Sequence, residues 1–183
     1  MWISLYAYSL RIYFDFSGYT DVALGLGRIL GINLPENFSA PYLKTNLTEF
    51  WNSWHITLAQ WFRAYFFNPI TRFLRKNPGV LPVWLIILIG QISTMLLIGL
   101  WHGITWNFTL WGLWHGIGLF IHNRWSGWLR NRGVILQNNQ SSSRSLKFLG
   151  WLLTFHYVTL GWVWFALPEV HLSLDTFKLL LGI

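Results

Sequence analysis

Apolar residues gather along this chain into runs long enough for helices, separated by short polar breaks. The first run covers positions 1–34. Within it Gly18, Asp21, Gly25 and Arg28 recur at three- and four-residue spacing, so they share one face of a helix. Glycines on such a face let a second helix come close, and the acid and base are placed to neutralise one another inside a bundle. Arg11 and Asp15, one turn apart, read as a second pair of that kind. Leu34-Pro35-Glu36-Asn37 and Ala40-Pro41 then break the pattern and predict an extended connector. Asn46 followed by Glu49 is a capping box, and it opens a predicted amphipathic helix over 47–65. Phe50, Trp51, Trp54, Leu58, Trp61 and Phe62 fall on one side of that helix; Glu49, Asn52, Ser53, Thr57, Gln60 and Arg63 fall on the other. A Trp-rich moment of this kind suits a helix lying in the membrane interface or lining a wet cavity.

Three further runs are each long enough to cross a bilayer: 80–101, 104–121 and 146–167. About 20 residues at about 1.5 Å each cover about 30 Å of hydrocarbon. Arg72, Arg75 and Lys76, with Pro78-Gly79, form one basic turn, and Arg124, Arg130, Arg132, Arg144 and Lys147 form a second basic segment. Residues 137–143 read as a polar loop. Basic loops favour the cytoplasm, and two crossings between them keep both on one side. The run 146–167 then exits opposite, toward Glu169 and Asp175, and 172–183 begins another amphipathic helix. The expectation is an all-α, polytopic transmembrane helix bundle carrying an amphipathic interfacial helix.

Composition agrees. Of 183 residues, 54% are hydrophobic, 10% are charged and 14 are Trp; soluble domains carry roughly 25% charged residues, and Trp at this density suits a membrane interface. The net charge of +7 is split between the polar breaks, a topology signal that leaves no continuous patch for nucleic acid. With no Cys, disulfides, thiolate metal sites and thiol catalysis are excluded. Residues 1–10 lack the basic start and small-residue site of a cleavable signal peptide. The chain reads as an integral, multi-pass membrane protein.

Candidate chemistry sits in two Trp-His-Gly triplets, Trp101-His102-Gly103 and Trp114-His115-Gly116. An ionisable group at the end of a membrane crossing is a functional candidate by default; the alternative is a core histidine packed between helices. Gly99 and Gly103 flank His102 and would permit a break at membrane depth. Asn107, Trp111, His115, Gly118 and His122 lie along one side of the second crossing. His55, at the border of the aromatic face, reads on its own as an interfacial histidine. A metal held by His102, His115 and His122 is disfavoured, because their spacing matches no ligand signature. No metal and no bound cofactor are therefore expected.

Three segments together resemble the membrane-bound O-acyltransferase (MBOAT) family, in its bacterial alginate O-acetyltransferase and teichoic-acid D-alanyl-transfer branch. They are Tyr13-Phe14-Asp15-Phe16-Ser17-Gly18-Tyr19-Thr20-Asp21 with Leu34-Pro35-Glu36-Asn37-Phe38; Glu49-Phe50-Trp51-Asn52-Ser53-Trp54-His55-Ile56-Thr57-Leu58; and Gly99-Leu100-Trp101-His102-Gly103 through Trp111-Gly112-Leu113-Trp114-His115-Gly116. The likeness covers about residues 11–122 and loosens beyond. It implies a helix bundle around a tunnel through a bacterial cytoplasmic membrane, in which an acyl group passes from a donor to a hydroxyl. It also implies that His102 is the essential histidine and His55 the second. Members are more than twice this long, so residues 1–183 are expected to form a single partial domain, the C-terminal portion of a bundle. The Arg-Asp that often follows the His55 helix is Arg63-Ala64 here.

Acyl transfer to an alcohol needs a base for the hydroxyl proton and donors for the oxyanion. On this reading His102 is the base, and His55 orients the donor or stabilises the tetrahedral intermediate. Trp101 and Asn107 are hydrogen-bond donors, and Trp54 and His115 complete the substrate-binding wall. The acyl donor (acyl-CoA or an acyl carrier) is a co-substrate, and the acceptor a hydroxyl of a cell-surface polysaccharide or polymer. Companion membrane or extracytoplasmic acyltransferase subunits are expected partners, besides the bilayer. The competing readings are a non-catalytic scaffold, a transporter piece, or an inactive truncated acyltransferase. Transport often leaves a repeated half, and no internal repeat is seen.

Overall fold

The first apolar run folds as one helix, α1 (Trp2–Ile29), in a computed structural model that describes residues 1–76, 79–132 and 144–183. The polar stripe on α1 does not pair with itself. Asp21 is exposed, and a Cβ added at Gly18 or Gly25 would meet nothing within 4 Å. Asp21 and Arg28 stand seven residues apart, about 10 Å along the axis, whereas the connector folds back and brings Glu36 within 3.5 Å of Arg28. The Arg11–Asp15 pair forms as its spacing predicts, at 3.3 Å.

The connector is pinned rather than loose. A short 3-10 turn (Pro41–Leu43) begins at Ala40, and Tyr42 ties three elements together. Its hydroxyl donates to the Ser9 carbonyl at 2.8 Å and accepts from Trp162 Nε1 at 2.9 Å. Its own carbonyl accepts from Trp151 Nε1 at 2.8 Å.

Half of the predicted capping box forms: the Asn46 side chain accepts from Glu49 N at 2.9 Å and opens α2 (Leu47–Trp51), while the Glu49 carboxylate accepts from Thr45 Oγ1 at 3.3 Å. The single helix predicted over 47–65 does not form. The chain breaks after Trp51 and restarts as α3 (Ile56–Phe62), which runs through a π-helical turn (Arg63–Phe67) into α4 (Asn68–Leu74). Ser53 contributes to the break from behind. Its hydroxyl bonds the carbonyls of Glu49 and Phe50 at 2.7 and 2.9 Å, the local competition by which serine ends a helix. Ser53 also lends its own carbonyl to Ser39 N at 3.0 Å. The aromatic face is split accordingly: Phe50, Trp51 and Trp54 are core, while Trp61 is exposed. Arg63, the residue before Ala64 where the family's pattern departs, reaches back to the side chain of Asn52 and braces the break.

Two long helices, α5 (Val83–His102) and α6 (Trp106–Asn131), make a hairpin joined by residues 103–105. Thr105 caps α6 by accepting from Phe108 N at 3.3 Å. Gly99 breaks nothing. A Cβ there would collide with the Phe108 carbonyl, and one at Gly112 with the Met95 carbonyl, so these glycines let two backbones approach closely. Helix α7 (Arg144–Ala166) packs on α6 by the same device with larger partners: Gly118 accommodates the Tyr157 hydroxyl and Gly161 the His115 ring. The last helix, α8 (Val170–Leu181), folds back over α6 and α7.

Helices α5 and α7 are long and apolar enough to cross a membrane. Of the predicted second crossing, 104–121, residues 106–121 form the first part of the 26-residue α6, which carries more polar residues. Pro78 of the predicted basic turn and the predicted loop 137–143 lie outside the described residues. The fold is the all-α helical bundle expected.

Candidate active site

The break between α2 and α3 is where the site begins. Four residues after α2 ends, His55 stands at φ 45° and ψ 55°, a left-handed conformation, and caps α3. A non-glycine residue there carries strain of order 1–3 kcal/mol that its surroundings must over-determine. They do so through the connector. The Asn37 carbonyl accepts from Ile56 N at 2.9 Å, and its side-chain Oδ1 accepts from Thr57 N at 3.2 Å, Thr57 Oγ1 at 2.9 Å and His55 Nδ1 at 3.1 Å. The first free N–H groups of α3 are thus satisfied from a segment some twenty residues earlier. Asn37 is itself held: Phe38 packs edge-on against Trp54 at 5.2 Å and Phe16 at 5.1 Å.

His102 arrives from the other direction, as the last residue of α5. Its ring sits among Trp101, Phe108, Trp111 and Phe165, with centroids 4.9–6.0 Å away. The α5–α6 hairpin fixes its height and Phe165 of α7 its back wall.

His55 and His102 open on one cleft of about 560 Å³. Trp54, Trp101, Trp111, Trp162 and Phe165 form most of the wall, and α1 closes it with Tyr8, Ile12, Phe16 and Tyr19. The cleft's ionic residues are Arg11 and Asp15, largely exposed at its α1 side. Trp101 contacts the His55 ring at 6.0 Å and the His102 ring at 4.9 Å. It also lines a second, apolar cavity of about 640 Å³ with Trp61, Phe62, Tyr65 and Leu97. Partial burial pushes the His55 imidazole down to about 4, so it is neutral near pH 7.

Of the sequence-predicted site residues, the fold brings His55, His102, Trp54 and Trp101 together on this cleft. It does not bring Asn107 or His115 to it. The Asn107 amide donates to the Leu167 carbonyl at 2.6 Å and to Ser173 Oγ at 3.1 Å, joining the start of α6 to the end of α7 and to α8. His115 is buried, its ring 5.0 Å from both Trp51 and Trp111. Among the described residues neither of its nitrogens has a hydrogen-bond partner. His122 is bonded by Thr48 at 3.2 Å and Ser126 at 3.1 Å. Sequence reasoning gave no site role to Asn37, Arg11, Trp162 or Phe165. Asn37 had a signal, since Leu-Pro-Glu-Asn-Phe belongs to the resemblance; an aromatic residue on a distant helix had none.

The sequence pattern of the membrane-bound O-acyltransferase family matches residues 1–163. The chain belongs to that family. Its curated relatives include the peptidoglycan O-acetyltransferase of Helicobacter pylori, 36% identical over 182 residues, which take in 100% of this chain and 32% of that protein. A probable alginate O-acetylase of Pseudomonas aeruginosa is 39% identical over 173 residues, 94% of this chain and 29% of the relative. The teichoic acid D-alanyltransferase of Bacillus subtilis is 32% identical over 167 residues, 91% and 41% respectively. The chain thus spans roughly a third of the length of these MBOAT relatives. MBOAT proteins are membrane proteins by definition, and the membrane reading of α5 and α7 follows.

Proposed function

We propose that this chain carries the two-histidine centre of an O-acyltransferase that moves an acyl group, in our reading acetyl, onto a hydroxyl of a bacterial cell-surface polymer. One observation supports this most: histidines from two separate motifs, 47 positions apart in sequence, face one aromatic cleft. The relatives' names describe acyl transfer to peptidoglycan, alginate and teichoic acid, all surface polymers.

The reaction balances simply. The acceptor oxygen attacks the acyl carbonyl of a thioester donor, the new C–O bond forms, and the C–S bond breaks. His102 takes the hydroxyl proton and returns it to the leaving thiolate. We assign the donor for the developing oxyanion to the Trp101 indole N–H, whose ring packs against both histidines. Asn107 drops out of that role because its amide is committed to Leu167 and Ser173. Acyl-CoA or an acyl carrier supplies the thioester. Companion subunits and the rest of an MBOAT bundle supply what lies outside this third of the relatives' length.

The test is alkali-labile acetyl ester on surface polymer from cells carrying the chain in its native genomic context. His102→Gln, which keeps a polar side chain but cannot take a proton near pH 7, should lose roughly 10²–10⁴-fold. Protein abundance is measured alongside, to separate chemistry from misfolding. Normal ester levels at normal abundance would remove His102 from the reaction.

A further inference from the structure

The bonds around Asn37 decide which nitrogen of His55 carries the proton. A backbone N–H can only donate, and Thr57 N points at the Asn37 side-chain atom 3.2 Å away. That atom is therefore the amide oxygen and not the amide nitrogen. The same oxygen lies 3.1 Å from His55 Nδ1. An acceptor facing Nδ1 requires Nδ1 to be the donor, so a neutral ring carries its hydrogen there. Nε2 is left as a bare lone pair on a ring that lines the cleft.

We propose that Asn37 is a positioning residue that locks His55 in the Nδ1–H tautomer. His55 then works as a hydrogen-bond acceptor toward an O–H or N–H group of the bound substrate. This rests on the acyl-transfer reading above and narrows it. A neutral ring of this tautomer cannot donate into the cleft, so His55 does not stabilise an oxyanion; it orients a substrate. The left-handed backbone at His55 belongs to the same device. Ile56 N and Thr57 N, the groups just past the bend, are bonded to Asn37 as well, so one asparagine fixes both the backbone turn and the ring. His156 shows the same logic away from the cleft: its Nδ1 donates to the Leu152 carbonyl at 2.8 Å, and its Nε2 accepts from the Tyr6 hydroxyl at 2.9 Å.

The tautomer is read directly by nitrogen-15 NMR of the histidine-labelled full chain in detergent near pH 7. His55 is assigned by its loss in His55→Gln. The expected signature is a protonated Nδ1 and a bare Nε2. Asn37→Leu should mix the tautomers and lower acetyl transfer by roughly tenfold, the order expected when one hydrogen bond to substrate is lost. Asn37→Asp, which keeps an acceptor facing Nδ1, should keep Nδ1 protonated while its charge moves the Nδ1 resonance. Thr57→Val, which removes a different donor to the same oxygen, should leave the signature unchanged. A wild-type His55 protonated on Nε2 overturns the proposal whatever the activity. An unmixed signature in folded Asn37→Leu overturns the role of Asn37. If that variant does not fold, Asn37→Asp decides: a carboxylate facing Nδ1 must shift the Nδ1 resonance, and an unmoved resonance overturns the assignment. Because the spectrum needs no turnover, the two readings fail separately: the correct tautomer together with unchanged surface acetyl ester in cells carrying His55→Gln and His102→Gln at normal abundance would sink the acyl-transfer reading instead. Substrate kinetics separate the partner: a raised KM for the acceptor places the bonded group there, and a raised KM for the donor places it on the donor.

Discussion

Three histidines that look alike in sequence have three different physical situations. His55 is pinned and half-buried, His102 is packed among aromatic rings on the cleft, and His115 is sealed among indoles. The pH response of His55 follows from its shift. Its pKa falls from 6.5 to about 4 on folding, so between those values the unfolded chain binds more protons than the folded one. Stability therefore rises with pH across this window. It is lost progressively as pH falls from about 6.5 toward about 4. The melting temperature of the detergent-solubilised chain should drop over that range, and His55→Gln should blunt the drop; an equal drop in both would assign the acid sensitivity elsewhere. His115→Gln tests the opposite case. The Gly161 Cβ position lies against the His115 ring, so the site is shaped to an imidazole. The variant should lower protein abundance while leaving acetyl transfer per molecule largely intact. Normal abundance with lost turnover would put His115 in the chemistry after all. The Trp-His-Gly triplets gave no way to tell these apart, because the difference lies in what α7 lays against each ring.

Among the elements, what was legible was whatever a single helix decides by itself. The long runs became α1, α5, α6 and α7, and the Asn46–Glu49 cap formed where the spacing placed it. The break at 52–55 was not legible, because its cause is shared between Ser53, which caps carbonyls behind it, and Asn37, which satisfies donors ahead of it from a remote connector. Glycines divide the same way. Helical spacing marked Gly18 and Gly25 as a close-packing face, yet both are open. The close approaches lie at Gly99 and Gly112, whose partners are backbone carbonyls of a neighbouring helix. Gly99→Ala and Gly112→Ala should each destabilise the α5–α6 hairpin by at least the 1–3 kcal/mol of ordinary overpacking, since a backbone carbonyl cannot rotate away. Gly18→Ala and Gly25→Ala should be neutral or slightly stabilising, as expected for helix-interior positions with room for a methyl group. Thermal unfolding in one detergent compares all four. Destabilisation by Gly25→Ala equal to that by Gly99→Ala would mean that α1 packs a face this chain leaves open.

At the scale of the whole molecule, the hairpin sets where the cleft lies relative to charge. Arg72, Arg75 and Lys76 precede α5, whose 20 residues rise about 30 Å to His102. Helix α6 then carries the chain back toward Arg124, Arg130 and Arg132. Helix α7 starts with Arg144 and Lys147 and finishes beside the hairpin turn, where Asn107 bonds the Leu167 carbonyl. Basic residues thus gather at one end of the α5–α6–α7 group, while His102, the turn and Glu169 share the other. The positive-inside rule predicts a cytoplasmic basic end, and that would put the His102 cleft near the outer surface, the side on which a surface polymer would meet it. A chain without cysteine makes this directly testable, since a single engineered thiol is the whole signal. Cysteines at Arg75 and Arg132 should react with an impermeant maleimide only in inverted vesicles, and one at Glu169 only in intact cells or right-side-out vesicles. A cysteine at Asn138, in the segment outside the described residues, should follow Arg132. Labelling of Arg75 and Arg132 from opposite sides would break the hairpin topology itself. Labelling of all the sites in the reverse sense would keep the hairpin but turn the cleft toward the cytoplasm, and the acceptor would then have to be a polymer precursor still inside the cell.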